Sequence, residues 1–443
     1  MSSEGTRRSG YLELLARNPG FRRLFAGQLI SQAGDWFNTV AIFTLLLSLS
    51  GSGQSLAFVL ILKLIPSFFL GPLAGVAADR YNRKTIMMSA DIMRGFTVLG
   101  LLLVRRPDQI WIVYLLTTLE VTLATFFEPA KSAAIPGLVG RGDLVPANTL
   151  SSATWSVTLA LGAAMGGAVT DLFGRNTAFV IDAISFFLSA MFIVGIRIPG
   201  PERLAQAALR RRRLRDSSGL TDIIEGAQYL RSHLRVLALL LVKPGWGIGG
   251  GVLLLLTIFG KNVFPLGRDG SASIGLLYAA RGLGALAGPM LARSIGGSST
   301  ASLNKGIAIA FFQAALFYLL FATAPSLWIA ALLVMGAHAG GSIQWVYSTT
   351  LLQMAVPNRF LGRVFALDNT FLTLAMSLST YLTGWGLDHG IGPRALAAAL
   401  GAIFVLPGIG WCIHLRHLSV FEQGRIDEPG AEVEAAEAPP PPS

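Results

Sequence analysis

The sequence predicts an all-α membrane protein with twelve transmembrane helices arranged as two pseudo-symmetric halves of six. The 443 residues have a mean hydropathy of +0.59 and only 13% are charged, about half the charged fraction of an ordinary soluble domain. Apolar segments recur along the whole chain at lengths that cross a hydrocarbon layer of about 30 Å. A weak internal repeat relates the second half of the chain to the first.

Each apolar segment is interpreted as one helix, because a helix satisfies its own backbone hydrogen bonds in lipid. The predicted spans 1 to 12 are residues 24–49, 56–78, 85–104, 110–127, 150–170, 177–196, 236–259, 273–291, 306–322, 327–350, 364–386 and 396–413. The first is longer than the core of a signal peptide, so we expect it to remain in the protein. Span 5 is the most polar and has the least certain boundaries.

The longest connection separates spans 6 and 7. It contains an amphipathic segment, Leu220 to Leu234, that we expect to lie on the membrane surface. The predicted organisation is an N-terminal segment (1–23), a first six-helix bundle (24–197), this linker (198–235), a second six-helix bundle (236–415) and a disordered acidic, Pro-rich tail (416–443). The halves are related by spacing: Pro136 and Asn148 lie on either side of the loop that enters span 5, and Pro357 and Asn369 lie at identical spacing on either side of the loop that enters span 11.

The charges indicate topology. Basic residues precede span 1, and Arg80, Arg83 and Lys84 lie between spans 2 and 3, so both termini are predicted to be cytoplasmic. The net charge of +11 is spread between apolar segments and therefore does not indicate a nucleic-acid partner. Cys412 is the single cysteine, which excludes an intrachain disulfide and a thiolate metal cluster.

The loop after span 2 carries a recognisable motif. Residues 75–84 read Gly-Val-Ala-Ala-Asp-Arg-Tyr-Asn-Arg-Lys, which resembles the loop 2–3 signature of the major facilitator superfamily, G-x-x-x-D-R-x-G-R-K. Asn82 replaces the second glycine, and we expect it to adopt the left-handed backbone angles of a tight turn. Residues 31–35, 91–94, 129–148 and 181–186 resemble the drug:proton antiporter branch that includes macrolide efflux proteins and the enterobactin exporter.

This resemblance implies the major facilitator fold, with spans 1, 4, 7 and 10 around a central cavity. It also implies a proton-coupled antiporter of the cell inner membrane that exports a drug, a macrolide-like compound or a siderophore by alternating access. Such efflux pumps confer multidrug resistance. The expected partners are membrane lipids, protons and a small amphipathic substrate, and we expect a monomer.

Two acidic residues are the candidates for proton coupling. Asp35 and Glu120 each lie roughly 16 Å into their spans, near the membrane midplane. A charge there costs at least about 2.5 to 3.5 kcal/mol, so each must face a cavity, pair with a base or take up a proton. The alternative is a purely structural pair with a buried base such as Arg94. His338, near the midplane on span 10, is a further cavity candidate.

The motif residues Gly75, Asp79, Arg80, Arg83 and Lys84 are interpreted as a conformational latch. The positive end of span 11 should face the same surface, and a carboxylate there gains roughly 0.3 to 1 kcal/mol. The alternative is a solvated turn whose charges set topology.

Other charged residues lie within predicted spans. Asp91 and Arg94 are three residues apart on one helical face and can neutralise each other. We expect Asp182 to pack and hydrogen-bond, and Lys243 to extend partly towards the cytoplasmic interface. Lys63, Lys243 and Arg281 are intramembrane bases, and any of them can be the partner of an acid.

Two glycine clusters indicate special backbone roles. Pro244 and the glycines that follow it, including Gly245 and Gly249, weaken span 7 and predict a gating hinge rather than simple close packing. Gly162, Gly166 and Gly167 give span 5 the small-residue spacing that allows helices to approach closely.

No enzyme constellation emerges. The chain has no phosphate-binding Walker loop, no nucleophile elbow with partners and no metal-binding His spacing, so neither a cofactor nor a metal is expected. Two alternatives to a proton-coupled exporter remain open. One is a lipid or lysolipid flippase of the same fold, and the other is a membrane sensor or assembly protein that moves no substrate.

Overall fold

A computed structural model describes residues 11–140, 143–197, 234–296, 299–356 and 358–426, and these residues form helices and short connections without strands. Eleven helices in this part of the chain are long and apolar enough to cross a membrane. The twelfth crossing is Asn358–Asp388, whose 31 residues are long enough but include several charges. The predicted all-α membrane fold is confirmed.

The first half begins with a short helix, Tyr11–Arg17, within the segment expected to precede the membrane. Span 2 consists of two helices, and each other span of this half is one α-helix. Spans 1 to 6 are Pro19–Ser50, Gly53–Leu62 with Ile65–Arg80, Arg83–Gly100, Ile110–Leu138, Leu144–Phe173 and Arg175–Val194.

The second half contains two further divided spans. Spans 7 to 12 are Leu234–Leu240 with Val242–Gly247 and Val252–Ile258, Ser271–Gly296, Thr300–Ala322, Leu327–Ala355, Asn358–Asp388, and Pro393–Ile403 with Val405–Ile426. Because the last helix extends to Ile426, the expectation of a disordered tail from residue 416 is wrong for residues 416–426. Residues 427–443 and most of the linker, with the predicted amphipathic helix, lie outside the described residues.

Side-chain caps mark the beginnings of several spans. The hydroxyls of Ser52, Ser299 and Ser326 each accept a hydrogen bond from a backbone N–H three residues later, as N-cap residues do. Asn82 begins span 3 in the same way, because its Oδ1 accepts from Lys84 N at 3.0 Å. Its φ is −65°, so the expectation of left-handed angles at Asn82 is wrong. Asn82 suits this position because its side chain caps the helix, and not because its backbone adopts special angles.

Spans 5 and 8 bring the two halves together along glycines. A Cβ on Gly167 would lie 2.8 Å from the Cα of Gly275, and a Cβ on Gly282 would lie 2.8 Å from the Cα of Ala160. The other two predicted glycines of span 5, Gly162 and Gly166, lie against the backbone of span 1. Small residues at these points allow the close approach that helix pairs in lipid use.

Carboxylates join the halves at one end of the bundle. We call the end at which span 1 begins and span 12 finishes the proximal end, and the opposite end, where these carboxylates lie, the distal end. Asp388, the last residue of span 11, accepts hydrogen bonds from Ser52 Oγ at 2.7 Å and from Gly53 N at 2.7 Å. Near the end of span 5, Asp171 accepts a hydrogen bond from the backbone N–H of Arg268. The second half therefore supplies Asp388 to the backbone at the start of span 2, and the first half supplies Asp171 to the backbone just before span 8.

Span 7 is broken where the sequence predicts a weak helix. Backbone hydrogen bonds from Gly249 to Trp246 and from Val252 to Gly249 connect residues three apart, so the α-helical pattern is replaced by tighter turns. Gly245 and Gly249 also pack against rings, and a Cβ on Gly249 would lie 2.0 Å from Phe404. Close packing therefore accompanies the break, and the hinge stays a prediction.

Candidate functional site

One guanidinium connects three spans near the middle of the first half. Nη2 of Arg94, on span 3, donates to Oδ1 of Asp35 on span 1 at 2.7 Å and lies 3.4 Å from Oε1 of Glu120 on span 4. Its Nη1 lies 3.8 Å from Asp91 on the same helix. The guanidinium carbon lies 4.0 Å from the centre of the Phe186 ring. We call Asp35, Asp91, Arg94, Glu120 and Asp182 the Arg94 cluster.

Neighbouring polar side chains orient the two predicted proton carriers. Asn38, one turn after Asp35, donates from Nδ2 to Oε2 of Glu120 at 3.0 Å. The hydroxyl of Thr39 donates to the backbone carbonyl of Asp35 at 2.7 Å and accepts from Lys63 Nζ at 2.7 Å. Span 1 therefore contributes both an acid and the groups that fix its surroundings.

The remaining two acids of the cluster are completely buried. Neither carboxyl oxygen of Asp91 accepts a hydrogen bond from the described residues, and Oδ2 of Asp182 also lacks a partner there. Oδ1 of Asp182 lies 3.3 Å from the hydroxyl of Ser185 and close to Gly34, beside Asp35. Burial of a carboxylate is costly, and these two acids have few hydrogen-bond partners in the described structure to offset it.

The charges of the Arg94 cluster do not balance when all its acids are ionised. Four carboxyl groups, those of Asp35, Asp91, Glu120 and Asp182, act electrostatically on one guanidinium. Desolvation and mutual repulsion both disfavour several carboxylates in one buried place. The cluster therefore contains more acids than bases among the described residues.

The two predicted proton carriers differ in how far their side chains are exposed. The side chain of Asp35 is 31% exposed, whereas that of Glu120 is 8% exposed. Asp35 and Arg94 line a cavity of about 70 Å³. The other residues around it come from the proximal halves of spans 1 and 4: Gln28, Ser31, Gln32, Ala124, Phe127 and Glu128. Asp35 is thus the member of the pair that this cavity reaches.

A second ion pair lies in the other half. Nζ of Lys243 on span 7 lies 2.5 Å from Oδ2 of Asp368 on span 11, and both side chains are buried. The ammonium also lies 4.8 Å from the Trp345 ring centre and 5.4 Å from that of Phe365. Lys243 therefore pairs with an intramembrane acid, one of the two placements that the sequence allows, and does not extend to the interface.

His338 is placed among aromatic side chains. Its Nδ1 lies 2.9 Å from the hydroxyl of Tyr318 and 3.3 Å from the backbone oxygen of Val334. The Trp246 ring lies edge-on at 5.8 Å. His338 is buried, and these partners suit a packed, hydrogen-bonded imidazole better than a group lining a water-filled path.

Arg281 has no such partners. Its guanidinium carbon lies 5.6 Å from the Trp155 ring centre and 5.9 Å from that of Tyr278. Nε is buried without a hydrogen-bond acceptor among the described residues. The predicted pairing of Arg281 with an acid is therefore not found in the part of the chain that the structure describes.

The predicted latch is described only in part. Arg83 donates to the backbone oxygens of Ala78 and Ala133, and Lys84 Nζ donates to that of Val194 at 2.6 Å. These contacts join span 3 to spans 2, 4 and 6 of its own half. The side chains of Asp79 and Arg80 lie outside the described residues, and a Cβ on Gly75 would meet no atom within 4 Å. A role for the motif across the halves stays a prediction.

Sequence reasoning missed two polar residues of these sites. Asp368 is an acid within predicted span 11, and an intramembrane acid is by itself a signal of function. Asn38 lies three residues after Asp35 and therefore on the same helical face. Both signals are visible in the sequence, but the partner of each is remote in the chain.

Comparison with known proteins adds a family. A family model described as transmembrane secretion effector matches residues 15–434. The uncharacterized MFS-type transporter YfiS of Bacillus subtilis is 28% identical, and the match covers 89% of this chain and 93% of that protein. Macrolide efflux protein A of Streptococcus pyogenes is 25% identical, with 83% and 89% covered. The enterobactin exporter EntS of Escherichia coli is 24% identical, with 93% and 95% covered.

Solved structures agree on the fold. The nucleoside transporter NupG superposes with a TM-score of 0.69 at 14% identity, covering 89% of this chain and 99% of that one. A peptide transporter of the POT family superposes with a TM-score of 0.70 at 12% identity, covering 92% and 98%. These likenesses concern the arrangement of helices alone.

Proposed function

The chain belongs to the transmembrane secretion effector family of the major facilitator superfamily, and from this membership we propose that it exports small amphipathic molecules in exchange for protons. It is a multi-pass membrane transporter and not an enzyme. The observation that carries the proposal is Arg94, which two acids from different spans share while only Asp35 reaches a cavity.

The proposed coupling step is an exchange of partners at Arg94. A proton taken up from the outside, when the distal end is open, neutralises Asp35 and removes the stronger acceptor of Nη2; it leaves towards the cytoplasm through the proximal cavity of the state described here. The guanidinium then pairs with Glu120, which Asn38 already holds in place. Since Asp35 and Glu120 lie on different spans, this change in charge favours a different packing of spans 1 and 4, as alternating access requires.

Neighbouring charges bear on this step from several elements. Asp182 on span 6, Asp91 on span 3 and Glu128 on span 4 are the neighbouring acids, and Lys63 on span 2 is the neighbouring base, which acts through Thr39. An exporter of this type needs a carboxyl group whose proton can be gained on one side and lost on the other.

We assign the proximal end to the cytoplasm and the distal end to the outside of the cell inner membrane. Arg22, Arg23 and Lys84 lie at the proximal end, and the excess of basic residues follows the positive-inside rule. Both termini are then cytoplasmic, and the protein acts as a monomer among membrane lipids. The motif around Asp79 is the proposed latch at this end.

The relatives suggest the class of substrate. Their names include a macrolide, enterobactin and bacilysin, which are small molecules of different chemistry. A small amphipathic drug or siderophore is therefore the proposed cargo. Growth protection of a strain that lacks its efflux pumps, screened with such compounds, identifies the substrate for the transport assay.

Proteoliposomes with an imposed pH gradient test the coupling. We expect the gradient to drive substrate flux in the wild type, and Asp35→Asn and Glu120→Gln to abolish the gradient-driven part. Asp108→Asn is the matched control, because Asp108 is an exposed acid paired with Arg106 in a loop. Substrate flux that ignores the pH gradient in the wild type would contradict proton coupling. Normal coupled flux in both cluster variants would contradict the assigned site.

A further inference from the structure

Arg281 places a positive charge deep in the membrane. It lies ten residues after Ser271, the first residue of span 8, and therefore roughly 15 Å from the distal end of the helix. Lipid headgroups lie at the ends of a span, so this depth favours a ligand that enters the protein over a bound lipid headgroup. The side chain is partly exposed although its Nε is buried.

The charge of Arg281 has no carboxylate to balance it within the described residues. The ionisable groups that act on it there are the hydroxyls of Tyr278 and Tyr318 and the imidazole of His338, and none of them is an anion at neutral pH. The buried bases Arg94, Lys131 and Lys243 differ from Arg281, because each lies within 4.0 Å of a carboxylate. Intramembrane bases normally pair with a counter-ion or face a substrate path.

The surroundings of Arg281 are flat, aromatic and shared between the halves. Trp155, on span 5 of the other half, is 45% exposed. The Tyr278 ring centre lies 6.0 Å from that of Trp36 and 5.7 Å from that of Phe43, both on span 1. Tyr278 and Phe43 are buried, so the rings of Trp155 and Trp36 are the ones that can cover the apolar body of a planar molecule while a guanidinium binds its charged group.

We propose that Arg281, with Trp155 and Trp36, is the binding site for an anionic group of the substrate, so that the cargo is an amphipathic organic anion. This inference rests on the proposed export function and specifies its substrate class. A carboxylate, phenolate or phosphate group would accept hydrogen bonds from the fork of the guanidinium. The apolar part of the molecule would lie against the rings at the contact of spans 1, 5 and 8.

Binding of two xanthene dyes to the purified full chain tests the site without transport. Fluorescein is an anion and tetramethylrosamine is a cation, and they share a ring system. By fluorescence anisotropy, we expect the wild type to bind fluorescein more tightly than tetramethylrosamine. Arg281→Gln should lower the affinity for fluorescein at least about tenfold, as loss of one partner of a close charge pair does. Its affinity for tetramethylrosamine should stay within about twofold of the wild type.

Stability separates a ligand site from a structural role. Because the guanidinium has no hydrogen-bond or carboxylate partner in the described structure, Arg281→Met should unfold at the same temperature as the wild type or a higher one. Arg281→Lys should keep part of the preference for fluorescein. Lys305→Gln, which removes an exposed base of span 9, should leave the binding of both dyes unchanged.

Several outcomes would overturn the proposal. They are equal affinity of the wild type for the two dyes, unchanged fluorescein binding in Arg281→Gln, or a large loss of thermal stability in Arg281→Met. Failure of the export function alone looks different: fluorescein binding would still depend on Arg281, while a pH gradient would drive no flux.

Discussion

Arg94 is the residue on which the charge of the first half depends. It is buried, its Nη2 lies within 3.4 Å of acids on two other spans, and more acids than bases surround it. Removing one partner of a buried pair costs about 3 to 5 kcal/mol, because the other charge stays uncompensated.

We therefore predict that Arg94→Gln lowers thermal stability in detergent by an amount in this range. Adding Asp35→Asn to the same chain should recover part of the loss, because one unpaired carboxylate is removed. Thermal unfolding of the two single variants and the double variant measures the coupling. Strictly additive losses would show that the 2.7 Å contact carries no interaction energy.

Lys243 and Asp368 allow a parallel test in the second half. Lys243→Met and Asp368→Leu should each destabilise the protein, since each leaves one buried charge without its partner. The double variant should be more stable than either single variant, because replacing a whole buried pair by apolar side chains is often neutral. A double variant less stable than both would point to further partners of this pair.

The sequence predicts the residues of the candidate site better than their partners. Depth along the helix is enough to select Asp35, Glu120 and Arg94, since a charge near the midplane is costly. Depth does not say that one nitrogen of Arg94 contacts both acids, because that depends on how spans 1, 3 and 4 pack. Lys243 and Asp368 are separated by 125 residues, and a contact of this range leaves no local pattern in the sequence.

Glycines set how closely spans 5 and 8 approach. At Gly275 a Cβ would lie 2.6 Å from the backbone oxygen of Ala163, so a larger side chain must push two helices apart. We predict that Gly275→Leu lowers stability by about 1 to 3 kcal/mol, the usual cost of overpacking.

Gly71→Leu is the matched control for this prediction. It lies on span 2, where a Cβ would meet no atom within 4 Å, and should leave the melting temperature unchanged. The thermal unfolding of both variants in detergent makes the comparison. Equal losses would show that substitution of an intramembrane glycine, and not the contact with span 5, determines the cost.

The length of the apolar segments predicts where the spans lie. The breaks inside spans depend on individual glycine and proline residues. The glycines of span 7 indicate its break, since they weaken a helix in any surroundings. Span 2 also divides, at Lys63 and Leu64, just before Pro66. A proline in the first turn suits a helix start, but the same residue is tolerated inside transmembrane helices. The choice between the two depends on neighbouring helices that the sequence does not identify.

At the scale of the whole molecule, contacts between the halves close the distal end. Asp388 binds the beginning of span 2, and Asp171 binds the connection before span 8. Hydrogen bonds to a charged group contribute about 1.5 to 3 kcal/mol each. Such contacts can bias an equilibrium between two conformations without fixing it.

We predict that Asp388→Asn, and more strongly the double variant with Asp171→Asn, populates a state with the distal end open. Spin labels on cysteines replacing the exposed Trp111 and Trp328, at the distal ends of spans 4 and 10, report the distance between the halves. Cys412→Ser removes the single native thiol from this background. The distance distribution should shift to longer values, and an unchanged distribution would show that other contacts determine closure.

The reciprocal carboxylate contacts between the halves at the distal end have a geometric consequence. Each half supplies one carboxylate to the other half and binds one from it, as the protomers of an isologous dimer do. The pseudo-two-fold axis between the halves therefore relates Asp171 to Asp388. A rigid rocking of one half against the other, about an axis in the membrane plane, strains both contacts together. The distal mouth should therefore open in a single concerted step, with no stable intermediate in which only one of the two contacts is broken.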